Sequence, residues 1–506
     1  MGLTRVVIKN GAKGYISGVP DGLDDLNWDN SLSRLSDPFY QLVQPTPLPA
    51  PYLVAFNPDA AALLGLSPDA AVRTDFLPSL NGERTMPATR PLATVYAGHQ
   101  FGVWVPELGD GRAILLGEVI GPDHRRWDVQ LKGSGPTRFS RMGDGRAVLR
   151  STIREYLGAE AMHGLGIPST RSLAILGSDA PVYREQVETA AVLVRLAPTH
   201  VRFGSFELFA SRGMTEAVAR LADYVIDMHF AHLLMLPAAE RYAAWYREVI
   251  DRTARLMAAW TAAGFTHGVM NTDNMSILGL ALDYGPFGWM DGYDRGFIPN
   301  HSDHGGRYAF DQQPRIGLWN CARLGEALAS LVSEEAAIAA LESYRATFEH
   351  EMDRLMRAKL GLATTEPGDI ALVADMLGML HDTRTDYTRF FRALSRYAAG
   401  KGASLRAEVG DGERLDAWLA RYTQRLLRED SVDAARHAQM LRANPRYVLR
   451  NWMAQEAIAK AQDGEFGLIE ELRVLLATPF DEHSEAERYA AIPPKWANEI
   501  ALSCSS

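Results

Sequence analysis

The chain has 506 residues, with 52 Lys and Arg against 62 Asp and Glu, so its formal net charge is −10. This acidic balance argues against a protein that wraps nucleic acid, since such proteins carry a strong basic surplus. With 47% hydrophobic and 23% charged residues, the composition is that of a folded globular chain and excludes dominant disorder. Two cysteines, Cys321 and Cys504, exclude a disulfide framework.

The sequence also lacks membrane and export signals. No run of about 18 apolar residues occurs, and residues 1–18 contain basic side chains without the apolar core of a secretory signal. The low cysteine count is typical of reducing surroundings. We therefore expect a cytoplasmic protein with no membrane partner and no nucleic-acid partner.

Turn-forming residues dominate the first 85 residues. Proline recurs through 45–51, and Asn57-Pro58-Asp59 precedes one short helical stretch at about 60–66. This composition predicts an extension wrapped on a larger body.

A strand-rich region follows, from about residue 86 to 205. Three apolar runs, at 101–105, 113–120 and 127–132, are separated by Gly-Asp-Gly and Gly-Pro-Asp turns. This spacing predicts an antiparallel meander. A helix that starts near Ser151 then interrupts the strands.

Helical spacing of apolar residues marks most of the remaining chain. It covers about 215–262, breaks at Gly264 into a loop-rich stretch that reaches Pro314, and returns from about 316. Later loops are expected near 363–368, 399–413 and 477–495. The predicted fold class is α+β, with a mostly β part before a mostly α part. The predicted divisions are 1–85, 86–205, 206–400 and 401–506.

Two glycine-rich segments are candidates for phosphate binding. Leu108-Gly109-Asp110-Gly111-Arg112 lies between predicted strands, and its glycines let a turn present backbone amides to an anion. Gly143-Asp144-Gly145-Arg146 is a second such segment. A simple hairpin turn is the alternative, because Asp-Gly between strands is the strongest short-range hairpin signal.

Lys132 and Glu155 form a second candidate pair. Lys132 ends the strand at 127–132 on the face opposite its apolar residues, so it is either a solvated lysine or a phosphate contact. Glu155 follows Thr152 at capping-box spacing. It could instead form an ion pair with Lys132 that orients the lysine toward phosphate.

Arg195 and Arg202 lie among apolar strand residues. A guanidinium in such a setting needs a carboxylate or a phosphate beside it. A phosphate clamp and internal salt bridges both satisfy that need, and the sequence leaves the two alternatives open.

The stretch from His267 to Gly285 is the most informative one. Asp273 and Asn274 precede one short apolar run and Asp283 follows a second, so a hairpin would bring Asn274 and Asp283 to the same end. Their oxygens suit Mg²⁺, which takes few protein ligands and adds nucleotide phosphates and water. Asp273 would then act as general base toward a hydroxyl nucleophile. A plain polar turn is the alternative.

Two remaining features have ordinary explanations. His301 and His304 could bind a metal, but without Cys or Glu partners they are more typical of a polar loop. Cys504, three residues from the end of the sequence, is expected to be exposed, which makes its thiol a redox candidate.

The order of these parts is that of a protein kinase: glycine-rich turn, strand Lys, helix Glu, Asp-Asn loop and Asp-Tyr-Gly triplet. A His-Arg-Asp catalytic loop is absent. The long motifs around Gly109, Gly143–Ser151, His267–Leu278 and Asn300–His304 resemble the selenoprotein O family, also called YdiU. The resemblance covers nearly the whole chain.

This resemblance implies a kinase-like two-lobe fold, with residues 86–205 as the N-lobe, residues 206–400 as the C-lobe, an N-terminal extension and a helical C-terminal region. It implies a protein adenylyltransferase that moves AMP from ATP to Ser, Thr or Tyr hydroxyls of protein substrates and releases pyrophosphate. The residues that it assigns to ATP are Gly109, Gly111, Arg112, Lys132, Asp144, Gly145, Arg195 and Arg202. Glu155 would pair with Lys132, Asp273 would accept the proton, and Asn274 and Asp283 would bind Mg²⁺, with Mn²⁺ as the alternative metal.

The sequence departs from the family at one point. Some members are implied to join the C-terminal Cys to a Cys just before the Asn-His-Ser-Asp stretch, and here that position is Pro299. The other cysteine, Cys321, lies in a predicted helix, so a regulatory disulfide with Cys504 is not supported.

The leading hypothesis is a monomeric, Mg²⁺-dependent protein AMP transferase. The alternatives are UMP transfer with Mn²⁺, transfer of the γ-phosphoryl group as in ordinary kinases, and a non-catalytic ATP-binding redox sensor that uses Cys504. The missing His-Arg-Asp motif counts against the kinase. Acceptor specificity is not readable from the sequence.

Overall fold

The computed structural model describes residues 20, 22–35, 37–398 and 401–503. Its N-terminal part is built around a β-sheet and its C-terminal part is helical, which agrees with the α+β class that the sequence predicts.

The strands, in chain order, are β1 (Tyr40–Leu42), β2 (Tyr52–Phe56), β3 (Leu92–Thr94), β4 (Gly98–Gln100), β5 (Val103–Val105), β6 (Ala113–Ile120), β7 (Arg126–Lys132), β8 (Ala147–Val148), β9 (Arg171–Tyr183), β10 (Val187–Ala197), β11 (Phe265–Thr266) and β12 (Gly288–Trp289).

The α-helices are α1 (Pro58–Leu63), α2 (Phe76–Asn81), α3 (Leu149–Gly164), α4 (Phe203–Ser211), α5 (Thr215–His229), α6 (Ala238–Ala262), α7 (Gln313–Ala327), α8 (Glu334–Leu360), α9 (Asp369–Thr383), α10 (Tyr387–Leu394), α11 (Ala403–Glu408), α12 (Gly412–Arg428), α13 (Asp433–Ala443), α14 (Asn451–Gln462), α15 (Gly467–Ala477) and α16 (Glu487–Ala490).

The main sheet has the strand order β1-β3-β6-β7-β10-β9-β2, with β8 paired to β10. Neighbouring strands are antiparallel, and the β7–β10 register sets Leu193 opposite Lys132 and Arg195 opposite Gln130. Alternation along β7 sends its apolar side chains into a core on one face of the sheet. Lys132 lies on the other face, as predicted.

The predicted meander is only partly correct. β6 pairs with β7 as expected, but β5 pairs with β4 in a separate two-stranded hairpin rather than with β6. This β4–β5 hairpin lies on the loop that carries Asp273, because the His99 N–H donates to Thr272 Oγ1 at 2.7 Å. The Phe101 N–H donates to Asn271 Oδ1 in the same loop. These long-range contacts outweigh the local turn signal on which the meander was predicted.

Helix α3 lies between the sheet and the helical part. Its residues Ile153 and Leu157 are fully buried in the largest hydrophobic core, which also contains residues of β10 and of α6. Helices α14 and α15 pack against α3 from the other end of the chain, so one continuous core joins the sheet to late helices. A further core is formed around α9, α10 and α12.

Some boundaries differ from those expected. Helix α1 starts at Pro58 because the Asn57 side chain accepts from the amides of Asp59 and Ala60 and caps it. Helix α11 lies inside the loop expected at 399–413, of which residues 399 and 400 are outside the described residues. Helix α16 lies inside the loop expected at 477–495. Over the described residues, no helix is long and apolar enough to cross a membrane.

Candidate active site

Three elements bring Lys132, Glu155 and Arg195 together. Lys132 at the end of β7 places its Nζ 2.5 Å from Glu155 Oε2 on α3. Arg195, on the neighbouring strand β10, donates from Nη1 to Glu155 Oε1 at 2.8 Å. All three residues are buried. The carboxylate therefore binds both cations, and Lys132 is not the solvated strand lysine that the sequence allowed.

The capping-box interpretation of Glu155 is wrong. Helix α3 begins at Leu149 rather than near Ser151, so Glu155 lies beyond its first turn. The Thr152 hydroxyl donates to the Val148 carbonyl instead, one turn back along the helix. Both observations leave the Glu155 carboxylate for the ion pairs.

Asp283 is the centre of a second set of ion pairs. Its Oδ1 lies 2.5 Å from Arg195 Nη1 and 3.2 Å from Lys132 Nζ, and its Oδ2 lies 2.6 Å from Arg202 Nη1. Burial alone would raise the pKa of this carboxyl, but the three adjacent cations outweigh it and hold the pKa well below its usual range. Asp283 is therefore ionised at neutral pH.

Asp273 lies in a short 3₁₀ turn over Thr272–Asn274. Gln100 of β4 donates to its Oδ2 at 3.2 Å, and Arg202 donates to its backbone carbonyl at 2.8 Å. Its Oδ1 is buried without a hydrogen-bond partner among the residues that the structure describes. Burial raises the pKa of Asp273 to about 6, so the carboxyl is a stronger base than an exposed aspartate.

The expected hairpin between Asn274 and Asp283 is not present. Ser276 instead forms an isolated bridge with Arg202, and Ala281 forms one with Ser169. Asn274 and Asp283 nevertheless line the same cavity, because these two bridges tie both ends of the segment to the sheet region.

Asn274 and Asp283 offer one amide oxygen and one carboxylate to a metal. The Asn274 amide nitrogen donates to the Val269 carbonyl at 2.9 Å, which commits that nitrogen and leaves the oxygen as ligand. No group of three or more His, Cys, Asp or Glu side chains suited to a metal occurs in the described part of the chain. Such a sparse oxygen set fits Mg²⁺ when phosphates and water complete the shell.

The glycine-rich turn around Gly109 differs from expectation. The Asp110 N–H donates to the Thr94 carbonyl and the Gly111 N–H to the Gly109 carbonyl, so these two amides are not bare. A Cβ at Gly109 would lie 2.5 Å from the Phe139 ring, and its φ is +108°. Glycine is required here by this close approach and this backbone conformation.

Asp144 and Gly145 lie at the outer rim of the same cavity. The exposed Asp144 accepts from both terminal nitrogens of Arg184, at 2.8 and 2.9 Å, and this contact lowers its pKa. Gly145 has φ +69° and approaches the Gly135 backbone so closely that a Cβ would lie 2.1 Å away. Arg112 is exposed at the rim.

One cavity of about 590 Å³ brings together nearly all predicted site residues. Those that line it are Gly109, Gly111, Arg112, Lys132, Asp144, Gly145, Glu155, Arg195, Asp273, Asn274 and Asp283. Arg202 does not line it. It is 1% exposed and lies behind Asp283, with its guanidinium 4.5 Å from the Tyr96 ring centroid.

Sequence reasoning missed Gln100 and Tyr96. Gln100 is 173 residues from Asp273 in the chain, and no local pattern marks it. Tyr96 stands in an apolar run and has no charged neighbour in sequence. Both lie in or just before the β4–β5 hairpin, whose position depends on tertiary contacts.

The loop that carries His301 and His304 is held by hydrogen bonds to its own backbone, as expected of a polar loop. Asp303 accepts the N–H groups of Arg307 and Tyr308. The His301 N–H donates to the Leu502 carbonyl, so the last described residues return to this loop. Cys321 is a fully buried free thiol whose pKa is raised by burial to about 12. Cys504 lies outside the described residues.

Comparison with known proteins identifies the class of enzyme. A family model described as "Protein adenylyltransferase SelO" matches residues 23–476. The chain is 58% identical over 489 residues to the protein nucleotidyltransferase YdiU of Myxococcus xanthus (strain DK1622), covering 96% of this chain and 99% of that protein. It is 56% identical over 494 residues to the one from Thioalkalivibrio sulfidiphilus (strain HL-EbGR7), with the same coverage. The chain therefore belongs to the SelO/YdiU family of nucleotidyltransferases.

Proposed function

We propose that the chain is a protein adenylyltransferase that moves AMP from ATP to a Ser, Thr or Tyr hydroxyl of another protein and releases pyrophosphate. The observation that carries the proposal is the convergence of Lys132, Arg195 and Arg202 on the single carboxylate of Asp283 at a nucleotide-sized cavity. Family membership supports the same reaction.

The cations explain how a triphosphate would be held. Lys132 and Arg195 line the cavity and are already oriented by Glu155, so phosphate oxygens would take over contacts that Asp283 now makes. Arg202 is behind Asp283, and we assign it a positioning role rather than the direct ATP contact that the resemblance implied.

Asp273 is proposed as the proton acceptor. The hydroxyl oxygen of the acceptor attacks the α-phosphorus, the bond from that phosphorus to the bridging oxygen breaks, and pyrophosphate leaves. The hydroxyl proton passes to the carboxylate of Asp273, which lines the cavity. Lys132 and Arg195 stabilise the charge that grows on the leaving pyrophosphate.

Asn274 and Asp283 would hold the divalent cation, Mg²⁺ by preference and Mn²⁺ as the alternative, which neutralises phosphate charge when bound. The kinase-like two-lobe arrangement, the divisions at residues 85, 205 and 400, and a monomeric state are part of the same proposal. The sheet region would be the N-lobe and the helices after α4 the C-lobe.

The deciding experiment uses a generic acceptor protein, Mg²⁺, and ATP labelled on either the α- or the γ-phosphate. We expect label from the α-phosphate only. Asp283→Ala should abolish transfer, because it removes a proposed metal ligand and takes the carboxylate away from the buried Arg202. Asp375→Ala is the matched control, since Asp375 pairs with Arg421 on the surface and should retain full transfer.

A second variant separates binding from chemistry. Asp273→Asn keeps the volume but not the base, so transfer should fall by about 10²- to 10⁴-fold while ATP affinity is kept. Label from the γ-phosphate would instead establish a kinase. ATP binding without any transfer would favour the hypothesis of a non-catalytic redox sensor. More efficient labelling from UTP with Mn²⁺ would favour UMP transfer.

A further inference from the structure

A second large cavity lies away from the nucleotide site, among α6, α8 and α13. Its volume is about 710 Å³, compared with about 590 Å³ for the nucleotide cavity. Over the described residues, the two cavities share no lining side chain. The walls come from the turn after α3, from the three helices, and from residues 278–279, 445 and 480.

The lining of this cavity is strongly basic. Its cationic side chains are Arg252, Arg255, Arg354, Lys359 and Arg442. Glu351 is the acidic lining residue within the described ranges, and it forms an ion pair with Arg354 at 2.6 Å. Arg252 pairs with Glu248 at 2.7 Å.

Two of the arginines are left without such a partner. Neither Arg255 nor Arg442 forms an ion pair within 4.0 Å in the part of the chain that the structure describes, although Arg255 is near enough to Glu351 to help lower the pKa of that carboxyl. Both are exposed and line the cavity. Guanidinium groups in this condition are available to a phosphate, which they bind through two parallel hydrogen bonds.

Lys359 is the most unusual member of the group. It is 5% exposed, and its Nζ lies 4.2 Å from the Phe391 ring centroid and 5.3 Å from that of Tyr387. The Tyr387 hydroxyl donates to the carbonyl of Ala262, another lining residue. Burial lowers the pKa of Lys359 to about 7. Lysine is almost never buried without an anionic partner, and none is found among the described residues.

We propose that this cavity binds a small organic molecule that carries a phosphate group. Arg255 and Arg442 supply the positive charge for the phosphate, and Lys359 supplies an amine in the wall of the same cavity. Apolar lining residues, among them Leu256 and Phe480, contact the organic part. This site is independent of the proposed adenylyl transfer, because it uses none of the residues of the nucleotide cavity.

Pyridoxal 5′-phosphate is the probe that tests the proposal on the full chain. Its phosphate occupies the site while its aldehyde condenses with the Lys359 amine and releases water. Borohydride then delivers hydride to the imine, and peptide mass spectrometry assigns the stable product to a residue. We expect labelling at Lys359, slowed about tenfold or more by inorganic pyrophosphate. Labelling at Lys132, which lines the nucleotide cavity, is assigned to a different peptide and is counted separately.

The double variant Arg255→Ala/Arg442→Ala should slow labelling of Lys359 about tenfold. The matched control is Arg247→Ala/Arg345→Ala, which removes two exposed arginines on α6 and α8 outside the cavity and should leave the rate unchanged. Labelling of the exposed Lys460 without Lys359 would overturn the proposal. So would Lys359 labelling that neither pyrophosphate nor the cavity variant slows.

Discussion

Asp283 and Lys359 are opposite solutions to the burial of a charge. Asp283 keeps its charge because Lys132, Arg195 and Arg202 are within 3.2 Å of its oxygens. Lys359 has aromatic rings but no carboxylate beside it among the described residues. Burial therefore lowers its pKa, so that the amine is partly uncharged at neutral pH. The ion pairs of Asp283 therefore keep this carboxylate charged in the folded protein. The isolated Lys359 instead lowers the stability of the folded protein at neutral pH.

Lys359→Met should stabilise the protein at neutral pH. The pKa of Lys359 is lowered from 10.5 to about 7 in the folded state, so the unfolded chain binds more protons between those values and stability rises with pH across them. Removing the amine should therefore increase the free energy of unfolding at pH 7 by about 4 kcal/mol, and by much less at pH 10.

The measurement is urea unfolding of both proteins at the two pH values, in a buffer without phosphate. Lys460→Met is the control, because Lys460 is exposed and pairs with Glu465. A Lys359→Met difference that is the same at pH 7 and pH 10 would show that repacking, and not the charge, causes it.

At the scale of elements, the β4–β5 hairpin holds the loop of Asp273. Gly98 at its start is so close to this loop that a Cβ would lie 2.7 Å from Asp273 Oδ1 and 3.1 Å from the Asp273 backbone nitrogen. Gln100, two residues on, donates to the other carboxylate oxygen. The hairpin therefore fixes both the position of Asp273 and the access to its free oxygen.

Gly98→Ala should reduce AMP transfer far more than it reduces stability. The new methyl group must push the Asp273 loop away, and a displacement of about 1 Å at a reacting group can cost 10²-fold in rate. Initial rates of transfer and the melting temperature should be measured together. Gly368→Ala is the control, because nothing lies within 4 Å of its Cβ position. Equal losses of rate and stability in Gly98→Ala would contradict this role.

The same hairpin shows where sequence reasoning fails. Period-two alternation predicts β6 and β7 within a residue, and the acid, amide and cationic site residues are recognisable from their types and order. The partner of β5 and the role of Gln100 depend on contacts with Thr272 and Asn271, which are far away in the chain. Arg202 likewise has the predicted carboxylate partner but not the predicted exposure to ligand.

At the scale of the whole molecule, α3 and α15 join the sheet region to the late helices. A Cβ at Gly164, the last residue of α3, would lie 1.9 Å from the Leu476 carbonyl oxygen of α15. Arg473 of α15 also reaches Asp59 in the N-terminal region at 2.9 Å. Because these contacts hold the sheet region against the late helices, we expect the two regions to unfold together.

Gly164→Ala should destabilise the entire protein. The clash with the α15 backbone forces helices apart and should cost about 2 kcal/mol, seen as a lower urea midpoint. Circular dichroism and tryptophan fluorescence should report one coincident transition. Gly467→Ala on α15, where nothing lies within 4 Å of the Cβ position, serves as control. Two separate transitions would mean that α15 detaches without the sheet.

The pairing of Arg473 with Asp59 spans 414 residues of chain. At about 5–20 residues synthesised per second, a ribosome needs roughly 20 to 80 s to make the second partner after the first. During the part of that interval that follows synthesis of α3, the face of α3 that α15 later covers is an apolar surface on a nascent chain. This protein should therefore be a client of ribosome-associated chaperones, and rapid overexpression should lower its yield of folded chain.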